Sequence, residues 1–111
     1  MKSRKITVVG SGYVGMSLSA LLSKYNAVTV FDIDKKRVEK INNGISTISD
    51  RDIDNFIKDN DLNLFATLDS KTAFSEADFV IIATPTNYDE DTKEFDTSSI
   101  ESSITEVLKY N

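Results

Sequence analysis

VVGSGYVGMS, residues Val8–Ser17, sets glycines at positions 10, 12 and 15 between an apolar run and a stretch with helical spacing. Upstream, Ile6, Thr7, Val8 and Val9 are all β-branched, as expected of a strand covered on both faces of a parallel sheet. Downstream, Val14, Leu18, Leu21, Leu22 and Tyr25 draw one apolar stripe along a helix, with the Val14 side chain expected to face the sheet and Asn26 to stop the helix. A glycine-punctuated turn that leaves a buried strand and opens a helix suits a pyrophosphate, which can rest on the first amides of the helix. Each glycine then has its own task. Gly10 permits the tight turn, Gly12 lets backbone approach the phosphate, and Gly15 lets helix and strand pack closely, with Tyr13 and Val14 contributing N–H groups.

An acid supports the same reading. AVTVFD reads as a second strand ending at Asp32, 22 residues after Gly10, where dinucleotide folds place a carboxylate for the adenosine ribose hydroxyls. A carboxylate there repels a 2′-phosphate, so NAD is expected over NADP. Asp34 is expected to cap a helix carrying Val38 and Ile41 and closing at Asn43 and Gly44. Lys35, Lys36 and Arg37 read as a solvated helix face or as cations near the cofactor.

Farther along, Ser49–Asn60 reads as a helix capped by Ser49, with Ile53, Phe56 and Ile57 on one face. A short strand over Leu64–Leu68 and a short helix over Thr72–Ser75 follow. Phe79–Ala83 reads as a fully buried strand stopped by Pro85, the only proline. Residues 86–96 read as a polar, acidic loop, of which the acidic part, Asp89–Asp96, is a solvated connection rather than ligand-binding. The last helix opens at Ser98 with Glu101 at capping-box spacing and Ile100, Ile104, Val107 and Leu108 on one stripe. Alternating strands and helices predict an α/β fold, a Rossmann-type doubly wound, mostly parallel sheet, truncated after about four to five strands. The glycine turn, Asp32 and the loop Thr84, Pro85 and Thr86 would all open onto the carboxyl edge of that sheet, where ligands of such folds bind. Read alone, that last loop serves equally as a strand stop or a binding segment. A sheet cut short there would leave Phe79–Ala83 as an apolar edge, so self-association through it or marginal stability is expected.

Composition narrows the functions. The chain has 111 residues, 40% of them hydrophobic, which suits one domain over residues 1–111 with a modest core. Lacking cysteine and histidine, it offers no disulfide, thiolate nucleophile or imidazole base, and no metal site is expected. A net charge of -5 opposes nucleic-acid binding, and KSRK at residues 2–5 reads as a solvated strand entry. The N-terminus carries no signal-like apolar stretch and no run approaches a membrane span, so a cytoplasmic chain without membrane contact is expected.

GSGYVGMSLSALLS, FDIDKKRVEKINNG and above all ADFVIIATPTNYDEDTKEFDTSSIES resemble the N-terminal NAD-binding part of the UDP-glucose 6-dehydrogenases and related nucleotide-sugar dehydrogenases. The resemblance covers essentially the whole chain. It implies NAD contacts from Gly12, Tyr13, Val14, Asp32, Arg37 and the Thr84–Thr86 loop. It implies a longer enzyme that oxidises the C6 alcohol of a nucleotide sugar to a carboxylate in two steps, using two NAD molecules. That chemistry uses a cysteine, a lysine and acids further along such chains. The segment is therefore expected to bind NAD(H) without catalysing, and to meet the nucleotide sugar only in the full-length enzyme. A regulatory NAD-sensing module is the alternative.

Overall fold

The computed structural model describes residues 3–84, 87–89, 94–96 and 98–111. Four parallel strands, β1 (Lys5–Val9), β2 (Ala27–Phe31), β3 (Leu64–Thr67) and β4 (Phe79–Ile82), form one sheet in the order β3-β2-β1-β4. The register pairs Val8 with Val30 and with Ile81, and Val30 with Ala66. The chain winds outward from the central β1 through β2 to β3, then crosses back to β4 on the other side, so the strand order reverses beside β1. This is the expected α/β, Rossmann-like architecture.

The pleat of β1 divides the core. Ile6 and Val8 pack with Met16 of α1 (Tyr13–Leu22), Val28 and Val30 of β2, and Val38 and Ile41 of α2 (Lys35–Asn42). Ile53 and Ile57 of α3 (Arg51–Asp59) close over this layer. Val9, on the opposite face, packs with Ala73 and Phe74 of α4 (Ser70–Phe74) and with Val107 and Tyr110 of α5 (Ser98–Tyr110). The Phe31 and Phe74 rings meet at 5.3 Å, tilted by 53°. Thr7 is buried on β1 and donates its hydroxyl to the carbonyl of Ala73.

The helix ends follow from local chemistry. Asp34, Asp50 and Asp69 cap α2, α3 and α4, each accepting from amides of the first turn. The cap of α3 is thus Asp50 and not the expected Ser49. Asp50 accepts from both Asp52 and Ile53, so the turn closes one residue later. Likewise α4 spans Ser70–Phe74, not Thr72–Ser75, because Asp69 starts it. At the end of α2, Gly44 takes φ +75° while the amides of Gly44 and Ile45 bond the carbonyls of Ile41 and Lys40, a Schellman closure. α1 ends at Leu22 with Ser23 as its C-cap, earlier than the expected stop at Asn26, whose side chain donates to the Leu22 carbonyl and accepts from the Arg4 amide.

Two expected apolar stripes are only partly turned inward: Leu22 and Val107 pack against the core, but other members do not. On α1 the buried residues are Gly15, Met16, Ser19 and Ala20, while Val14 and Leu21, and Tyr25 just beyond the helix, are exposed. At Gly15 the helix meets the Gly10 carbonyl so closely that no Cβ fits, and Ser19 can be buried because its hydroxyl donates to the Gly15 carbonyl. On α5, Val107 and Tyr110 pack inward whereas Ile104 and Leu108 are exposed. The Ser98 half of the expected capping box and Ile100 lie outside the residues whose side chains are described.

β4 is a sheet edge, so the expected full burial does not hold: Phe79 is 56% exposed and Val80, Ile81 and Ile82 are half-buried. The other edge is partly covered. Asn42 spans it, donating to the Ala66 carbonyl and accepting from the Ala66 amide at 2.9 and 2.8 Å. The stretch expected to be only a loop holds two short antiparallel strands, β5 (Asn87–Asp89) and β6 (Glu94–Asp96). Among the described residues no helix is long and apolar enough to cross a membrane.

Candidate functional site

β1 ends at Val9, and the chain must turn at once to run α1 back across the sheet. Gly10 makes that turn at φ +96°, its amide donating to the Phe31 carbonyl at 2.8 Å. A Cβ there would stand 3.1 Å from the Ala83 carbonyl oxygen, so both conformation and contact demand glycine. Gly15 is constrained more severely, since a Cβ would fall 2.1 Å from the Gly10 carbonyl oxygen. The first turn of α1 lies directly on the glycine turn.

Gly12 differs from both. Its φ of -73° is open to any residue, and a Cβ would meet nothing within 4 Å. Neither backbone strain nor packing inside the chain calls for glycine here. Gly12 is also the cap of α1, which has no side-chain cap and no acid in its first turn. The first helical amide to find a partner is that of Met16, bonded to the Gly12 carbonyl at 2.8 Å. The amides of Tyr13, Val14 and Gly15 therefore start the helix without an intrahelical acceptor, at the positive end of its dipole.

These groups line a cavity of about 1030 Å³ at the carboxyl ends of β1, β2 and β4. Gly12, Tyr13, Val14, Asp32, Arg37 and Thr84 are on its wall. Val14, expected to face the sheet, is 60% exposed and turned to the cavity side. Thr84 has its Oγ1 buried with no hydrogen-bond partner among the described residues. Such an orphaned hydroxyl costs free energy until something supplies a partner. Pro85 and Thr86, expected in the same loop, lie outside the described residues.

Asp32 is buried at the end of β2 and turns toward the glycine turn, not away from it. Its Oδ2 accepts from both the amide and the hydroxyl of Ser11, at 3.0 and 2.6 Å, and its Oδ1 accepts from the Asp34 amide at 2.9 Å. Arg37, half-exposed on α2, stands 3.8 Å from carboxylate oxygens of both Asp32 and Asp34. Its guanidinium tempers the negative charge of this corner.

Sequence reasoning missed several groups around the cavity. Ser11, between two glycines, carries no role in the sequence pattern. Thr47 donates its hydroxyl to the Ser11 carbonyl, and the Tyr13 hydroxyl donates to Asp50 Oδ2 at 3.0 Å, so the segment before α3 braces the turn. The bond to Asp50 holds the Tyr13 phenol above its usual pKa, while the Ile53 amide, and after it that phenol, keep the Asp50 carboxyl below its own. From α5, Ser102, Ser103 and Glu106 line the opposite wall. No local signal marks these residues, because 36 positions separate Thr47 from Ser11 and 37 separate Asp50 from Tyr13. Among the described residues no group of three or more His, Cys, Asp or Glu side chains could hold a metal ion.

The chain is 47% identical over 107 residues to a UDP-glucose 6-dehydrogenase of Streptococcus pneumoniae, covering 96% of this chain and 27% of that protein. It is 44% identical over 109 residues to a UDP-glucose 6-dehydrogenase of Campylobacter jejuni, covering 96% of this chain and 28% of the relative. The fold superimposes on GDP-mannose dehydrogenase of Pseudomonas aeruginosa with a TM-score of 0.82 at 25% identity, over 92% of this chain and 24% of that one. A UDP-D-ManNAc dehydrogenase of Pyrococcus horikoshii matches with a TM-score of 0.83 at 25% identity, over 96% of this chain and 26% of its own. The chain thus spans about a quarter of the length of the relatives it matches. Residues 4–111 match the NAD binding domain of the UDP-glucose/GDP-mannose dehydrogenases, and with that match over nearly its whole length the chain belongs to this family as its NAD-binding domain.

Proposed function

We propose that the cavity holds the adenosine diphosphate half of NAD, with the pyrophosphate over Gly12 on the amides of Tyr13, Val14 and Gly15 and the adenosine ribose against Asp32. Gly10 shapes the turn, Arg37 borders the adenosine side, and Thr84 lines the cavity; Pro85 and Thr86 are proposed as cofactor contacts from the sequence resemblance alone. Gly12 carries this reading. A glycine that its own chain does not need, at an uncapped helix start, is accounted for by a ligand that occupies the place of its missing Cβ. The orphaned Thr84 hydroxyl fits the same polar ligand.

When bound, NAD supplies the acceptor for a hydride. This chain's residues bind and orient it, and with no cysteine or histidine in the sequence we assign no catalytic residue here. The isolated chain is expected to bind the cofactor and to be inactive. For the longer protein we propose oxidation of the C6 alcohol of a nucleotide sugar, UDP-glucose first, since the relatives at 47% and 44% identity carry that name.

Calorimetric titration of the chain with NADH, NADPH and S-adenosylmethionine tests the reading. NADH is expected to bind, NADPH more weakly because Asp32 meets its 2′-phosphate, and S-adenosylmethionine not at all. The Gly12→Ala variant should keep its unfolding free energy within about 1 kcal/mol, the range for a change at a helix cap. Its affinity for NADH should fall at least about tenfold, the cost of forcing a methyl group into a packed contact. No NADH binding, tighter NADPH binding, or an unaffected Gly12→Ala variant would each overturn it.

A further inference from the structure

The residues on either side of Gly12 are each held by a side chain from one distant segment. Thr47 donates its hydroxyl to the Ser11 carbonyl, and Asp50 Oδ2 accepts from the Tyr13 hydroxyl at 3.0 Å. Between them, Gly12 has a φ of -73° open to any residue, and a Cβ there would meet nothing within 4 Å. That emptiness leaves room for a ligand, but a glycine without neighbours also leaves its peptide free to rotate. The bonds from the Ser11 amide and hydroxyl to Asp32 fix the peptide before Ser11, not the one after it. The Ser11 carbonyl and the Gly12 amide belong to one planar unit, so the bond that holds the first orients the second.

The segment that carries both side chains is anchored independently of the turn. Ile48 packs against the larger core cluster, and the buried Ser46 hydroxyl accepts from the Ile48 amide at 3.1 Å and donates to its carbonyl at 3.0 Å. Asp50 caps α3 with Oδ1, which accepts from the amides of Asp52 and Ile53, and meets Tyr13 with Oδ2. From these contacts we propose that Thr47 is a positioning residue for the diphosphate of the cofactor. It fixes the Ser11–Gly12 peptide before the ligand arrives, and Asp50 steadies Tyr13 on the other side of Gly12. Ordering this glycine in advance spares the ligand the entropy of doing so on binding. The proposal deepens the NAD reading above and rests on it, assigning a share of the affinity to a threonine 36 positions after Ser11.

Calorimetric titration with NADH and with ADP tests this, at a temperature where urea denaturation shows each variant to be folded. Thr47→Val keeps the shape and removes the hydroxyl, so affinity for both ligands should fall about three- to tenfold, the range for one lost hydrogen bond. Thr47→Ser keeps the hydroxyl and should bring both affinities back to within about twofold of the unsubstituted chain. Tyr13→Phe keeps the ring and the backbone, loses the bond to Asp50, and should also weaken both ligands. A merely structural threonine would lower the unfolding free energy and leave the affinity of the folded chain where it was. That result would overturn the proposal, as would a Thr47→Ser variant no better than Thr47→Val, or a loss seen with NADH and not with ADP. If Thr47→Val does not fold, Tyr13→Phe decides, and unchanged affinity there overturns the proposal. Failure of both ligands to bind the unsubstituted chain would instead remove the NAD reading, and this proposal with it.

Discussion

Gly12 and Gly15 stand three residues apart and answer to different constraints. At Gly15 the limit is internal, because a Cβ 2.1 Å from the Gly10 carbonyl oxygen would push α1 off the end of β1. The obstacle is backbone, which cannot turn aside as a flexible side chain could. Gly15→Ala is therefore expected to cost more than about 2 kcal/mol of stability, as overpacking against a rigid neighbour does, measured by urea denaturation. Gly12→Ala should lose little stability and much affinity. If the two variants lost stability equally, the distinction between a packing glycine and a ligand glycine would be wrong.

Among the elements, β3 and β4 show how a short sheet handles its edges. β3 is a strand of four residues whose outer backbone at Ala66 is met by the side-chain amide of Asn42, donating and accepting as a neighbouring strand would. Asn42→Ala leaves a carbonyl and an amide of Ala66 without those partners, and should cost about 1–3 kcal/mol, with hydrogen exchange rising first at Ala66. Exchange at Ala66 no faster than in the unsubstituted chain would show that Asn42 does not guard that edge. The helices are governed by their caps: Asp34, Asp50 and Asp69 start three of them, while α1 starts at a glycine with no side-chain cap.

For the whole molecule, the consequence lies at β4. The strand order ends there, and among the described residues no strand pairs with its outer edge. Phe79 is 56% exposed on it, and Val14 and Leu21 of α1, with Tyr25 just after it, add exposed apolar surface. An unpaired edge of apolar residues is a template for a second copy. Sedimentation velocity of the isolated chain should show association that rises with concentration, and Phe79→Lys should return it toward a monomer. A chain that stays monomeric at high concentration would mean that this edge is protected in some other way.

Much of the fold and part of the site could be read from local pattern. The β-branched run at residues 6–9, the glycine spacing and the place of Asp32 depend on neighbours along the chain, where φ preference, side-chain volume and periodicity act directly. The helix faces could not be read that way. Periodicity marks Val14, Leu21 and Tyr25 as core, whereas the closeness of α1 to the sheet, visible only after folding, selects Gly15, Ser19 and Ala20. The exposure of β4 likewise depends on its place in the strand order and not on its composition, which is that of a buried strand. The surroundings of Asp32 and Tyr13 depend on Ser11, Thr47 and Asp50, brought within hydrogen-bond distance across 21 to 37 positions of chain. The sequence by itself determined that a turn of this shape would form and which acid would stand near it. Only the tertiary structure decided which groups surround that acid, Ser11 and Arg37 among them, because contacts between separate segments are set by how the layers pack and not by the order of residues.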